Sequence, residues 1–393
     1  MIGPGEIAGG IALAVWLVLV FARDGFWLTR ERDTRALPTP PARWPSVTAV
    51  VPARDEAEVI ARAIASLTAQ DYAGDFRIIL VDDNSSDGTA EIARAAANAA
   101  IANPSPEGEG LREPQRLTIL PGAPLAPGWT GKLWAVHQGI AAAGAPDYLW
   151  FTDADIAHAP DTLASLVTRA VGEERALVSL MARLRCESMA ERALIPAFVW
   201  FFAMLYPFAE VNRARGVGAA AGGCMLARAD TLAAAGGIAA VRGALIDDCA
   251  FGALMKQHGR VWLGLTNRSV SIRRYDTWAS VGAMISRSAY AQLRYSPVLL
   301  AATLVGLALI YLGPVLLTML GEGYARWLGM AAWVLMTIAF QPMLRFYGRS
   351  PLWGAALPAI ALFYAGQTFV SAWAHWRGRG GMWKGRAQAA IGA

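Results

Sequence analysis

Four stretches of this chain, residues 7–22, 296–321, 327–344 and 350–374, contain no charged residue. A hydrocarbon layer about 30 Å thick takes ~20 apolar residues as an α-helix, which satisfies its own backbone where water is absent. Any fold for this sequence has to accommodate these runs. Trp327, Trp333, Trp353, Trp373, Trp376 and Trp383 accompany the last three and suit the interfacial belts of a bilayer. The first run is preceded only by Glu6 and followed by Arg23, Arg30, Arg32 and Arg35. That order is the reverse of a cleaved signal peptide and reads as an uncleaved anchor with its arginine-rich end in the cytoplasm. If residues 30–295 are cytoplasmic, three further spans carry Arg377, Arg379, Lys384 and Arg386 to the other side, against the positive-inside tendency. Either the tail is an exception, or one run is re-entrant or lies flat. Pro342, Pro351 and Pro358 make the last run the one expected to depart. A shorter apolar run, residues 195–208, reads equally well as an interfacial amphipathic helix or as a buried core helix.

The remaining composition narrows the classes. Only 17% of residues are charged and 55% are hydrophobic, which excludes intrinsic disorder. The net charge of +5 is unevenly spread: from residue 295 onward there are seven basic residues and one acid, Glu322. A basic, acid-poor end suits contact with anionic lipid. Because these basic residues are scattered between apolar runs, no nucleic-acid partner is expected. Cys186, Cys224 and Cys249 are far apart and form no C-x-x-C, so neither a zinc site nor a disulfide framework is expected.

Between the runs the pattern changes to alternating strands and helices. Residues 46–51, 76–81, 117–120 and 148–152 read as strands; residues 56–69, 87–99 and 131–143 read as helices, and residues 102–115 as a loop insertion rich in Pro, Gly and Glu. Apolar strands alternating with helices imply a parallel sheet covered on both faces. Ligands of such sheets bind beyond the carboxyl ends of the strands. Here those ends carry Pro52-Ala53-Arg54-Asp55-Glu56, Asp82-Asp83-Asn84-Ser85 and Asp153-Ala154-Asp155. No G-x-G-x-x-G or Walker-type glycine loop follows any of them, which argues against a dinucleotide site or a P-loop.

Carboxylates at these positions suit particular chemistry. Two acids one residue apart at a strand end can address a hard divalent cation that completes its shell with water and phosphate oxygens. Asp87 and Thr89 in the Ser-x-Asp-Gly-Thr turn read as structural caps. Asp247-Asp248 precedes a helix over 250–258 that Gly259 ends. These two acids are either N-terminal helix electrostatics or a general base. His137, His158, His258 and His375 form no ligand spacing and read as core or surface residues, His158 alone lying near the D-x-D.

Pro52–Glu56, the run VDDNSSDGT at residues 81–89, Asp153-Ala154-Asp155 and Asp247-Asp248, in that order, together resemble glycosyltransferase family 2. Gly131-Lys132-Leu133-Trp134-Ala135 resembles that family's G-K-x-x-A segment, and Gly218 with Gly222-Gly223 its glycine-rich stretch. The anchor, the C-terminal runs and Gln292–Pro297 look more like the hopene-associated glycosyltransferase branch and, more distantly, ceramide glucosyltransferases. The resemblance implies a GT-A fold, a Rossmann-like mixed α/β sheet, with one N-terminal and about three C-terminal transmembrane or re-entrant helices. It divides the chain into an anchor (1–28), a cytoplasmic linker (29–45), a catalytic domain (46–295), membrane helices (296–376) and a basic tail (377–393). It implies an inverting transfer from a nucleotide-sugar, most often a UDP-sugar, to the hydroxyl of a lipid, with hopanoid-related acceptors among the candidates. The enzyme would work at the cytoplasmic face of a bacterial-type inner membrane.

Residue by residue, the resemblance implies that Pro52, Ala53, Arg54 and Glu56 line the nucleotide pocket and Asp83 binds the base. Asp153 and Asp155 would hold Mg²⁺ or Mn²⁺, with Asp153 also facing the nucleotide-sugar. Lys132 and Arg294 would face the diphosphate, Asp248 would act as base, and Gly222, Gly223 and Asp247 would border the acceptor. Processive synthases carry Q/R-x-x-R-W; aligned on Arg294, this chain has Ala291 and Tyr295 at the Gln and Trp positions, which disfavours a polymer channel. A processive synthase and a non-catalytic scaffold are the competing classes, and the complete carboxylate series weighs against the second.

Overall fold

The computed structural model describes residues 3–102, 117–380, 382–383 and 386–387, so most of the expected 102–115 insertion lies outside the described residues. Two compact units emerge: a sheet unit (31–184, 211–273, 382–393) and a helical unit (1–30, 185–210, 274–381).

In the sheet unit, β1 (Val47–Ala53), β2 (Phe76–Asp82), β3 (Leu117–Pro121), β4 (Tyr148–Thr152), β5 (Ile156–His158), β6 (Arg175–Arg183), β7 (Cys224–Arg228) and β8 (Arg260–Ser271) form one sheet, ordered β3-β2-β1-β4-β7-β6-β8-β5. The four strands anticipated from sequence pair parallel, as expected. The later strands make the sheet mixed, because β7 runs antiparallel to β4 and β6, and β5 antiparallel to β8. Every residue of β1 is buried, since both faces are covered. Val47, Ala49, Val51 and Ala53 share a core with Ile60, Ile64, Leu67, Ala93 and Ala97 from the helices Ile60–Thr68 and Thr89–Ala102. Val50, on the alternate face, meets the helix Gly131–Ala142 at Gly139. The helix expected from residue 56 begins at Ile60, and the segment before it is tied to the neighbouring loop: Glu56 N–H donates to Thr89 Oγ1 at 2.8 Å and Ala57 N–H to Asp87 Oδ2 at 2.9 Å.

Within the segment read as a linker, Asp33 is docked on the sheet. Asp33 N–H donates to the Leu265 carbonyl at 3.0 Å, and the buried Asp33 carboxylate pairs with Arg268 at 3.1 Å and accepts from Thr266.

The helical unit holds Pro4–Phe21, Pro297–Leu320, Gly323–Phe346 and Leu357–Trp376, of 18, 24, 24 and 20 residues, each long and apolar enough to cross a membrane. At 1.5 Å per residue these are about 27–36 Å long. In the last run, expected to depart from a regular span, a 3₁₀ turn comes first and the continuous helix Leu357–Trp376 follows. Pro358 falls in its first turn, where no amide donor is needed, and Pro351 lies in the preceding 3₁₀ turn Pro351–Gly354. Pro342 sits inside Gly323–Phe346 without ending it.

Residues 185–210 and 274–295, placed by sequence in the catalytic domain, cluster instead with the apolar helices. The 195–208 run supplies most of a helix, Met189–Leu205, begun by a Ser188–Glu191 capping box. It takes the core alternative: Ile195 and Trp200 are fully buried, Trp200 Nε1 donates to the Ala339 carbonyl at 3.3 Å, and Tyr364 Oη donates to the Leu194 carbonyl at 2.9 Å. Trp16 packs beside Trp200 and donates at 2.8 Å to the Ile310 carbonyl, in the π-helical turn Ala308–Leu312 that interrupts the Pro297–Leu320 span.

A Cβ placed on Gly139 would lie 2.5 Å from Val50 Cγ1 and 3.2 Å from Val81 Cγ2. We expect Gly139→Ala to lower stability by about 1–3 kcal/mol, as overpacking does, and Val50→Ala to restore part of the loss in the double variant. Thermal denaturation of the four proteins of this cycle checks it.

Candidate active site

The ends of β1, β2 and β4 present the polar segments that the sequence places there, and hydrogen bonds between loops set their shape. Asp55 and Asn84 adopt left-handed backbone, with φ of 49° and 55°. Asp and Asn tolerate that region better than most residues. Asp55 Oδ1 accepts from Ser86 N–H at 2.9 Å, and Asp55 N–H donates to Ser85 Oγ at 2.9 Å. Asp87 accepts from the amides of Ala57 and Thr89, at 2.9 and 3.1 Å. Asp87 and Thr89 therefore do the structural work expected of them. Pro52 and Ala53 end β1 in register with Val81 and Asp82. Arg54 donates to the Asp83 carbonyl and pairs with the Asp83 carboxylate at 3.6 Å; that carboxylate is almost fully buried.

Lys132 lies in the first turn of Gly131–Ala142, whose N-cap is Thr130. Its Nζ stands 2.9 Å from Asp153 Oδ1 and 3.0 Å from Asp247 Oδ2. The ammonium thus joins the acid after β4 to the acid that begins the helix Asp247–His258. This helix starts three residues earlier than expected, so both acids occupy its first turn. Burial acts to lower the Lys132 pKa, but attraction to Asp153 and Asp247 outweighs it and holds the amine above its ordinary value. Burial raises the Asp153 pKa, Asp155 and Asp247 add to the shift, and Lys132 opposes it.

Asp248 is fixed by backbone donors. Oδ2 accepts from Gly222 N–H at 3.0 Å and Oδ1 from Cys249 N–H at 2.8 Å. A Cβ on Gly222 would stand 3.3 Å from Lys132 Nζ and 3.4 Å from Asp248 Cβ, so glycine permits this approach. Gly223 accepts through its carbonyl from Thr152 Oγ1 at 3.0 Å and faces Ile156. Burial pushes the Asp248 carboxyl up to about 6; Asp247 adds to the shift, while Lys132 and the two amides oppose it. Pro52, Lys132, Thr152, Asp153, Gly222 and Asp247 line one pocket of about 340 Å³, open mouth included, with Leu133, Val136, Phe151, Met225, Ile238 and Phe251 as its apolar wall. A few convergent polar groups on an apolar wall are the usual form of a small-molecule site.

One charged side chain at this end of the sheet was not anticipated from sequence. Arg273, just past β8, donates through Nε to Asp155 at 2.7 Å and through Nη2 to Glu56 at 2.5 Å. Its only sequence signal is the basic pair Arg273-Arg274 closing a strand-like stretch. Arg294 belongs to the helical unit, in left-handed backbone just after Ala289–Gln292. His158 is a core residue: its ring nitrogens bond Thr152 Oγ1 at 2.8 Å and Ser269 Oγ at 2.9 Å, and burial pushes its pKa down to about 3. All three cysteines are free thiols, Cys224 and Cys249 buried.

The donor chemistry fits a hard divalent cation. Asp153 and Asp155 offer carboxylate oxygens beside each other, and Asp153 senses the charge of Asp155. Among the described residues no three His, Cys, Asp or Glu side chains are grouped to hold an ion unaided. Two carboxylates suffice for Mg²⁺ when substrate phosphates and water supply the rest.

Residues 48–234 match the model of glycosyl transferase family 2. The match supports a glycosyltransferase domain over most of the sheet unit. The chain also aligns with the mannosyltransferase PcManGT from Pyrobaculum calidifontis, solved with GDP-Man and Mn²⁺, at 19% identity and a TM-score of 0.57, covering 95% of this chain and 99% of that one. That likeness, with the mixed sheet and its four apolar helices, gives the fold as GT-A. Glucosyl-3-phosphoglycerate synthase from M. tuberculosis aligns over 64% of this chain and 80% of that one at 21% identity and a TM-score of 0.39. Mannosyl-3-phosphoglycerate synthase from Rubrobacter xylanophilus aligns over 63% and 74% at 17% identity and 0.37. A search of curated proteins finds no match.

The elevated Asp248 pKa has a testable sign. If Asp248 serves as a general base it works only when deprotonated, and kcat/KM should then fall as pH drops through about 6. Asp247→Asn removes the neighbouring like charge and leaves Lys132 to Asp153 and Asp248, so the acid limb should move to lower pH. A pH–rate profile of both proteins checks this; an unmoved limb excludes Asp248 as the group it reports.

Proposed function

We propose that this protein is a membrane-anchored inverting glycosyltransferase that moves a sugar from a nucleotide-sugar, a UDP-sugar in first place, to the hydroxyl of a lipid acceptor, hopanoid-related lipids among the candidates. The observation that carries the reading is Asp248. Its carboxylate is oriented by two backbone amides and raised in pKa, while Lys132 ties its neighbour Asp247 to the first acid of the D-x-D. The four apolar helices support attachment to a bilayer; the arginines after the first run are the basis for proposing a bacterial-type inner membrane with residues 31–184 and 211–273 in the cytoplasm.

In this mechanism Pro52, Ala53, Arg54 and Glu56 border the nucleotide, with Asp83 behind Arg54 on the base side. Asp153 and Asp155 would hold Mg²⁺ or Mn²⁺, which when bound supplies Lewis acidity against the charge of the departing diphosphate. Lys132 adds a fixed positive charge at the same end of the pocket. Asp248 takes the proton from the acceptor hydroxyl. The freed oxygen attacks the anomeric carbon from the face opposite the diphosphate, a carbon–oxygen bond forms as the sugar–phosphate bond breaks, and configuration inverts. Gly222 and Gly223 leave room on the acceptor side, and Asp247 keeps Lys132 in place. One displacement completes the transfer, so no carboxylate nucleophile is required.

Asp248→Asn should preserve the fold and nucleotide binding and lower transfer by about 10²–10⁴-fold, the usual worth of a positioned base. Membranes holding either protein, incubated with labelled UDP- and GDP-sugars and extracted for lipids, check this. A single-sugar glycolipid formed only by the unmutated protein is the expected product; equal activity of both proteins removes Asp248 from its role, and a labelled polymer indicates a processive synthase.

A further inference from the structure

Both acids of the D-x-D are already engaged by cations built into the fold. Asp153 holds Lys132 at 2.9 Å, and Asp155 holds Arg273 at 2.7 Å. Backbone pairing places Arg273 there. β5 pairs with Ser269–Ser271 of β8, and Ile272 N–H donates to the Asp155 carbonyl at 2.9 Å, which sets the next side chain beside the Asp155 carboxylate. Glu56, mostly buried and rooted through its own amide on Thr89, anchors the guanidinium from the other side. Glu56, Asp153, Asp155, Asp247 and Asp248 bring five acids to this end of the sheet; Lys132 and Arg273 bring two cations into contact with four of them.

We propose that Arg273 is a positioning residue that makes cation binding and nucleotide binding depend on each other: by occupying Asp155 it holds down the affinity of the D-x-D for a divalent cation until a diphosphate contributes its own negative charge. The inference rests on the metal-assisted reading above. A divalent cation arriving alone must compete with a guanidinium for Asp155 and is repelled by it at short range. A cation arriving with a diphosphate meets phosphate oxygens that repay that repulsion and give both Arg273 and Lys132 new anionic partners. Linkage then requires that the cation raise nucleotide affinity by the same factor. The device prevents a pocket this rich in acid from sequestering metal between turnovers. A guanidinium suits the task better than an amine, because its planar fork reaches two carboxylates at once.

The test is Mn²⁺ binding to the detergent-solubilised full chain, followed through the electron paramagnetic resonance of free Mn²⁺, without nucleotide and with saturating UDP or, in parallel, GDP. The wild-type protein should bind Mn²⁺ weakly alone and at least tenfold more tightly with nucleotide. Arg273→Gln removes the competing charge and should bind Mn²⁺ alone roughly tenfold more tightly, with the nucleotide enhancement reduced by the same factor. Arg273→Lys keeps the charge but loses the fork to the two carboxylates, and should fall between wild type and Arg273→Gln. Glu56→Gln, which leaves Arg273 to Asp155 alone, should shift Mn²⁺ affinity the opposite way to Arg273→Gln, and serves as the reading if Arg273→Gln does not fold. Wild-type Mn²⁺ binding followed by unchanged affinity in Arg273→Gln, or by tightening in Glu56→Gln, overturns the inference and leaves the metal-assisted reading standing. A wild-type protein that binds no Mn²⁺ even with nucleotide overturns both.

Discussion

The ammonium of Lys132 is the contact on which the pocket depends. It sits in the first turn of a helix, where the macrodipole disfavours a cation, and it is mostly removed from water. Two acids offset both penalties, one after β4 and one in the first turn of Asp247–His258. The same pairing gives those acids a reason to tolerate each other, since carboxylates so close would otherwise take up protons. One side chain thereby fixes the distance between a strand end and a helix start that are 94 residues apart in the chain (153 and 247). Gly222 lets the backbone come close enough for Asp248 to be oriented beside this pair.

Around that contact the loops are built to stay still. The β1 and β2 ends are sewn together by Asp55, Ser85, Asp87 and Thr89, just ahead of the helix Ile60–Thr68. Arg273 performs the same service between the β1 end and the D-x-D. A site made of rigid strand ends and cross-linked loops places its charges before substrate arrives, which is the condition for electrostatic catalysis to be effective. The elevated Asp248 pKa follows from burial, with the charge of Asp247 adding to it.

The helical unit follows a different logic. Helices satisfy most of their own backbone, and aromatic donors tie neighbouring elements together through helix carbonyls: Trp16 to that of Ile310, Trp200 to that of Ala339, Tyr364 to that of Leu194. Trp327, Trp373 and Trp376 remain about half exposed, as residues at a bilayer boundary would be.

Much of this was legible in sequence because it is local. The uncharged runs announce helices by length alone; β1, β2 and β4 announce themselves as apolar stretches leading into acid-bearing segments, and β3 as a short apolar stretch. Lys132 is legible through its G-K-x-x-A setting, and Asp153, Asp155, Asp247 and Asp248 through their order and spacing. What sequence could not show depends on contacts between distant residues. β5 is three residues long and exists only through its pairing with β8. Arg273 acquires its role from acids 118 and 217 positions away. The linker docks because Asp33 finds Arg268, and the 195–208 run becomes a core helix because other apolar helices surround it. The sequence by itself determined which residues carry charge and which segments avoid water. Only the tertiary structure decided which charges meet, because Coulomb attraction and desolvation depend on separation in space, which chain order does not record.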